Sequence, residues 1–231
     1  MNINNPNQSK NTKQRMPIAE VYDLIAESFD SKRSYPWKEV KKFTKTVEPT
    51  ELVLDLGCGN GRHTQLLVER EAGAIGLDIS YNILKTALEN QLNEVKNQLL
   101  GMVNADIRAL PFKDNQFDKV LMIAVLHHVK KGDARKKTLL ELHRILKVGG
   151  EALVSCWQRT HPRFKKPDLR EKIQQGKKDV IVAWTLPTGK KIPRYYYLFD
   201  PEELVTLVNT THFKISEKYI SNHNLFLKIT K

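Results

Sequence analysis

The chain has 231 residues, 40% of them hydrophobic, which fits one domain with appendages around a full core. Its formal net charge of +12 points to a polyanionic partner, and no apolar run is long enough to span a bilayer. Cys58 and Cys156 make up neither a disulfide framework nor a zinc set, so a reducing, cytoplasmic setting is expected.

Residues 1–15 are rich in Asn, Lys and Gln without an apolar core, which reads as a solvated, disordered tail rather than a secretory signal. Ile18, Val21, Tyr22, Ile25 and Phe29 recur at helical spacing over residues 18–29. Ser34-Tyr35-Pro36-Trp37 breaks that helix, and residues 37–46 form a second amphipathic one. Residues 16–50 are therefore read as lid helices ahead of the first strand.

The run Val53-Leu54-Asp55-Leu56-Gly57-Cys58-Gly59-Asn60-Gly61 follows. An apolar strand ends in an acid, opens into three alternating glycines and leads into a helix-forming stretch at 62–72. Glycine is required where a backbone turns sharply against a ligand and leaves no room for a Cβ. A dinucleotide fingerprint spaces its glycines G-x-G-x-x-G and seats a pyrophosphate on a helix N-terminus. The G-x-G-x-G spacing here, with its preceding acid, suits a ligand with no phosphate but a cationic ammonium and sulfonium: S-adenosylmethionine. Asp55, Gly57, Cys58, Gly59, Asn60 and Gly61 are the cofactor-binding candidates of this loop.

A second strand ends at Gly76-Leu77-Asp78-Ile79-Ser80, at the interval where a ribose-binding acid is expected. Asp78 can accept both ribose hydroxyls, and Ile79 adjoins it. A helix over 81–98 leads to a short strand at 101–104, and the apolar run 99–103 that overlaps it is expected at one sheet edge. Beyond it, Asp106 can accept the adenine amino group while the Ile107 amide donates to the ring. A fourth strand covers 117–126, with Ala124 near its carboxyl end. A helix at 134–146 stops at Gly149-Gly150, and a fifth strand runs to Ser155. Residues 158–195, basic and broken by Pro and Gly, are read as a substrate-side insertion with one short helix at 169–174. A helix at 201–209 precedes strands at 214–220 and 225–230, joined by Ser221-Asn222-His223-Asn224 as a hairpin. The expected fold is α/β: a single domain (16–231) built on a Rossmann-like doubly wound sheet of about seven strands with a C-terminal antiparallel hairpin.

From Val53 to Trp157 this ordered set resembles the class I S-adenosylmethionine-dependent methyltransferases. Amine methyltransferases often place Asp/Asn-Pro-Pro-Tyr/Phe at the end of the fourth strand. Ala124-Val125-Leu126-His127-His128-Val129 stands there instead, which disfavours base-amine methylation. The adjacent histidines have no cysteine or acid cluster to complete a metal site, so no metal is expected. The flanks add Arg33-Ser34-Tyr35-Pro36-Trp37, Ser155-Cys156-Trp157, Asp179 to Trp184 and Arg194-Tyr195-Tyr196-Tyr197-Leu198-Phe199. With them, the chain from about Val21 onward resembles the tRNA wobble-uridine (5-carboxymethyluridine) methyltransferases. It departs from that family at Val129, where tryptophan is usual, and in a shorter insertion than eukaryotic members carry. The resemblance implies a compact archaeal-type member.

It also implies the activity: methyl esterification of a 5-carboxymethyl group on the anticodon wobble uridine. The carboxylate is already ionised at neutral pH and needs no general base, only orientation and loss of water. Arg33, His127 and Arg194 are the expected orienting groups, with Tyr35 and Tyr196 behind them. His128 is expected to contact substrate, and Trp157 or Trp184 to stack on a flipped uracil. Implied partners are tRNA, in line with basic clusters interleaved with aromatics, and a small zinc-containing activator protein. That activator would form a heterodimer through the third-strand edge. Two alternatives stay open on sequence: a methyltransferase for a quinone or lipid precursor, and a catalytically silent binding module.

Overall fold

The computed structural model describes residues 16–92, 99–165 and 167–231. The expected tail at 1–15 and the last part of the expected helix at 81–98 lie outside them. Helices α1 (Ile18–Asp30) and α2 (Lys38–Thr44) precede β1 (Leu52–Leu56), α3 (Thr64–Val68), β2 (Gly73–Asp78), α4 (Tyr81–Leu92) and β3 (Leu99–Asn104). Then come β4 (Phe117–Ile123), a 3-10 turn (Leu126–His128), α5 (Gly132–Ile145) and β5 (Leu146–Trp157). A 3-10 turn (Pro162–Lys165), α6 (Pro167–Gln174), β6 (Asp179–Thr185) and β7 (Lys191–Tyr197) fill the insertion. The chain closes with α7 (Pro201–Asn209), β8 (Lys214–Ser221) and β9 (Asn224–Thr230).

A seven-stranded sheet runs in the order β3-β2-β1-β4-β5-β9-β8. Neighbours from β3 through β5 are parallel, while β9 pairs antiparallel with both β5 and β8. Strand order reverses between β1 and β4, so the loops leaving their carboxyl ends diverge and open the crevice where such sheets bind ligands. Both faces of the central strands are apolar, as a covered parallel sheet requires. Leu54, Val120 and Val154 pack on one side against Leu139, Leu142, Leu204 and Val208. Val53, Leu121 and Leu153 pack on the other against Val40, Phe43, Leu67 and Phe226. Each fully buried side chain of this size contributes about 1.5–3 kcal/mol, which holds the strand ends rigidly under the site. Helix α7 starts on a capping box of Asp200 and Glu203 with Pro201 in its first turn, a start legible in sequence.

Two expectations need correction. Helix α3 covers only Thr64–Val68 instead of 62–72, because Glu71 takes a left-handed turn (φ 60°) that swings the chain into β2. The insertion holds more than its helix: β6 and β7 form an antiparallel hairpin. Val180, Val182 and Trp184 point inward along β6, and Trp157, Phe164, Leu169, Tyr196 and Leu198 complete a small core beneath. This hairpin grips the lid helix. Trp184 Nε1 donates to Ser28 Oγ at 2.8 Å, Lys32 Nζ to the Thr185 carbonyl at 3.2 Å, and Val21, Ile25 and Ile192 pack around the indole. Among the described residues, no helix is long and apolar enough to cross a membrane.

Candidate active site

A cavity of about 350 Å³ lies above the carboxyl ends of β1, β2 and β4, roofed by α1 and the β6–β7 hairpin. At one end sits the glycine loop. Gly57, Gly59 and Gly61 all have positive φ (78°, 58° and 79°), and a Cβ on Gly57 would come within 2.4 Å of Val125 Cγ2. Glycine is therefore forced at that position. The Gly57 and Cys58 amides donate to the Leu77 carbonyl at 2.7 and 2.9 Å, stitching the loop to β2. Asp55 is buried beneath the loop and accepts from Thr64 Oγ1 at 2.8 Å, with burial pushing its carboxyl up to about 7. It braces the loop and, like Gly61, does not line the cavity.

Asp78 does line it. Its two oxygens accept the Gly59 and Ser80 amides at 3.0 Å each, and burial raises its pKa. Each oxygen keeps a lone pair, as a ribose diol would need. Ile79, Asp106 and Ile107 line the same end. Asp106 is not a free acceptor, since Arg108 grips both its oxygens and holds its carboxyl low. Asn60 donates to Asp30 Oδ1 at 2.8 Å and to the Arg33 carbonyl at 3.2 Å, which fixes the orientation of its amide. That leaves Asn60 Oδ1 buried without a partner among the described residues, a ready acceptor for a cationic ammonium. Arg62 donates to the Tyr35 carbonyl at 3.4 Å and lies over the Trp37 ring; burial and nearby Arg33 lower its pKa to about 10.

The other end has the opposite character. Ala124 holds a strained left-handed conformation (φ 60°), and its amide donates to the Ser155 hydroxyl (3.0 Å) and carbonyl (3.1 Å). His127 Nδ1 accepts the Trp157 amide at 3.1 Å, so the imidazole proton sits on Nε2. Burial, with His128 and Arg194 beside it, holds the His127 pKa well below 6.5. His128 uses both ring nitrogens internally, with the Tyr195 carbonyl at 2.8 Å from Nδ1 and the Tyr22 hydroxyl at 2.9 Å from Nε2; burial takes its pKa to about 3. Arg194 is only 2% exposed, its guanidinium packed over Trp184 (4.7 Å) and Tyr196 (5.3 Å). Its Nε and Nη2 have no hydrogen-bond partner, and no ion pair reaches it among the described residues. A buried cation left in this state is a receptor for an anion.

A methyltransferase domain model matches residues 54–154. The tRNA (carboxymethyluridine(34)-5-O)-methyltransferase of Schizosaccharomyces pombe is 32% identical over 219 residues, 87% of this chain and 90% of that protein. The chain belongs to this methyltransferase family. A longer mouse relative, tRNA (carboxymethyluridine(34)-5-O)-methyltransferase ALKBH8, is 33% identical over 73% of the chain, which spans 24% of it. Solved structures share the fold. A SAM-dependent methyltransferase from Methanosarcina mazei gives a TM-score of 0.70 at 18% identity, covering 85% of this chain and 98% of that one. A Haloferax volcanii methyltransferase in complex with the Trm112 methyltransferase activator gives 0.70 at 16% identity, covering 93% and 97%. S-adenosylmethionine is the cofactor of this methyltransferase, and the glycine cradle, Asp78 and the orphaned Asn60 oxygen fit it.

Of the residues expected at the site, the methyltransferase gathers Gly57, Cys58, Gly59, Asn60, Asp78, Ile79, Asp106, Ile107, Ala124, Arg33, His127, His128, Trp157, Arg194 and Tyr196 around one cavity. Besides Asp55 and Gly61, which stand behind the loop, four placements differ from expectation. Tyr35 is 84% exposed and outside the cavity, since Pro36 carries it past the end of α1. Trp184 lies behind the wall, bonded to Ser28 and covered by Arg194. Trp157 reaches the cavity but both its faces are taken, by Tyr196 (4.5 Å, 14°) and His161 (4.5 Å, 11°), so neither tryptophan has a face for a base. His128 has no nitrogen left for substrate. Sequence reasoning missed Tyr22, Arg62 and Lys130 as lining residues. Tyr22 left a signal, as the one hydroxyl on an otherwise apolar helix stripe.

Proposed function

We propose that this enzyme methylates the carboxylate of a 5-carboxymethyl group on the wobble uridine of tRNA. The observation that carries this reading is Arg194, a buried guanidinium with two unpartnered nitrogens and no ion-pair partner among the described residues. S-adenosylmethionine, when bound, supplies a sulfonium-activated methyl group. Arg194 would hold one edge of the acceptor carboxylate and leave the other oxygen free to attack. His127, neutral with its proton on Nε2, would donate to the acceptor without adding a charge that blunts the nucleophile. Arg33 and Lys130, at the cavity wall, would extend the positive field towards RNA phosphates. Asp78 would take the ribose, Asn60 the ammonium, and the Ile107 amide the adenine ring, with Asp106 held by Arg108 beside it.

The same reading includes a small zinc-containing activator docked on the β3 edge. Its support is that β3 ends the sheet with Leu100 59% exposed, and that a fold neighbour forms a complex with the Trm112 methyltransferase activator. Nucleoside mass spectrometry on cells lacking this protein tests the activity. Accumulation of 5-carboxymethyluridine with loss of its methyl ester is expected. An unchanged wobble profile would favour a small-molecule acceptor.

A further inference from the structure

The side chain of Asn60 is held from outside its own loop, by the lid. Asp30, the last residue of α1, offers its Oδ1 to two donors: Asn60 Nδ2 at 2.8 Å and Asn90 Nδ2 at 2.9 Å. Asn90 stands on α4, and its Nδ2 also donates to the Asn60 carbonyl at 3.3 Å. Just past α1, the Arg33 carbonyl accepts from Asn60 Nδ2 at 3.2 Å. A carboxylate and a carbonyl can only accept, so turning the Asn60 amide over would set its oxygen against two others. Lid helix, glycine loop and α4 thus meet on one asparagine.

Asn60 is 3% exposed, and its Oδ1 has no partner among the described residues. A buried oxygen in that state costs about 1–3 kcal/mol, so the empty loop by itself has little reason to keep this orientation. Turned over, the amide would present a donor to a cationic group and repel it. We propose that Asp30 is a positioning residue that keeps the Asn60 oxygen turned to the ammonium of the cofactor, so that the lid helix takes part in reading the cofactor's amino group. This rests on the reading of Asn60 as that ammonium's acceptor. What Asp30 supplies is an accepting oxygen, and an amide oxygen in its place serves as well.

The test is calorimetry on the full chain with two probes: S-adenosylhomocysteine and its desamino analogue, which lacks only the amino group. The wild type prefers the amine. Asn60→Ala narrows that preference about thirtyfold, the worth of one hydrogen bond to a charged group. Asp30→Ala narrows it about fivefold, the worth of one ordinary hydrogen bond, because the Arg33 carbonyl still holds the amide. Asp30→Asn restores it, since an asparagine oxygen accepts from both Asn60 and Asn90. Adding Asp30→Ala to Asn60→Ala changes nothing further. Loosened packing would weaken both probes together and leave their ratio alone. An undiminished preference in Asp30→Ala, with Asn60→Ala still narrowing it, overturns the positioning role alone. So does an Asp30→Asn variant no better than Asp30→Ala, or a further fall in the double variant. An undiminished preference in Asn60→Ala overturns the ammonium reading of Asn60 and this inference with it.

Discussion

The two ends of the cavity are built from opposite charges by different means. The cofactor end is backbone and carboxylate: glycines at positive φ, amides turned to β2, Asp55 buried and Asp78 half-buried beside them. The other end is side chain and cation: Arg194 without an ion-pair partner among the described residues, two histidines held neutral, and a wall of rings. On the proposed reading, a positively charged cofactor and a negatively charged acceptor would each meet the complementary sign. Polarity along a cavity thus carries information about the reaction that no single residue does.

The largest effect should come from breaking the acid end. Gly57→Ala forces a Cβ to within 2.4 Å of Val125 on a left-handed backbone. Strain of about 2–3 kcal/mol should cost S-adenosylhomocysteine about a hundredfold in affinity by calorimetry. Near-normal affinity would mean the loop is not a cradle.

Asp55→Asn sharpens the comparison through pH. Asp55 unfolded titrates near 3.9, and folded at about 7. Between those values the folded state binds the extra proton, so this group's contribution to stability falls as pH rises. Asparagine keeps the Thr64 bond and removes the titration. The stability of the variant relative to wild type, from urea unfolding, should therefore climb between about pH 4 and pH 7. The depressed histidines act with the opposite sign, but equally in both proteins. A flat difference would show Asp55 ionised in the native state.

Trp184→Phe should have the smallest effect. It removes the bond to Ser28 and keeps a ring under Arg194, costing about 1 kcal/mol of stability with RNA affinity unchanged. A fall in RNA affinity at unchanged stability would return Trp184 to the substrate.

The two ends were not equally legible in sequence. The cofactor end could be read because its parts are contiguous: strand, acid, glycines, then an acid at the ends of the next two strands. The other end assembles Tyr22, His128 and Arg194 across most of the chain, and no local pattern reports that they line one cavity. The family resemblance still pointed to Arg194 and His127, and both line the cavity. It could not say that Trp157 would spend both faces on Tyr196 and His161. The β6–β7 hairpin was harder to read, because Val180 to Trp184 is an unbroken apolar run and the alternation that buries Val180, Val182 and Trp184 exists only in the folded strand.

One experiment bears most directly on the polarity of this cavity: single-turnover methyl transfer to an anticodon stem-loop carrying 5-carboxymethyluridine, comparing wild type with Arg194→Ala. The variant should bind S-adenosylhomocysteine normally by calorimetry and transfer methyl about a hundredfold more slowly, as loss of two charge-assisted hydrogen bonds implies. Transfer at the wild-type rate would contradict the account.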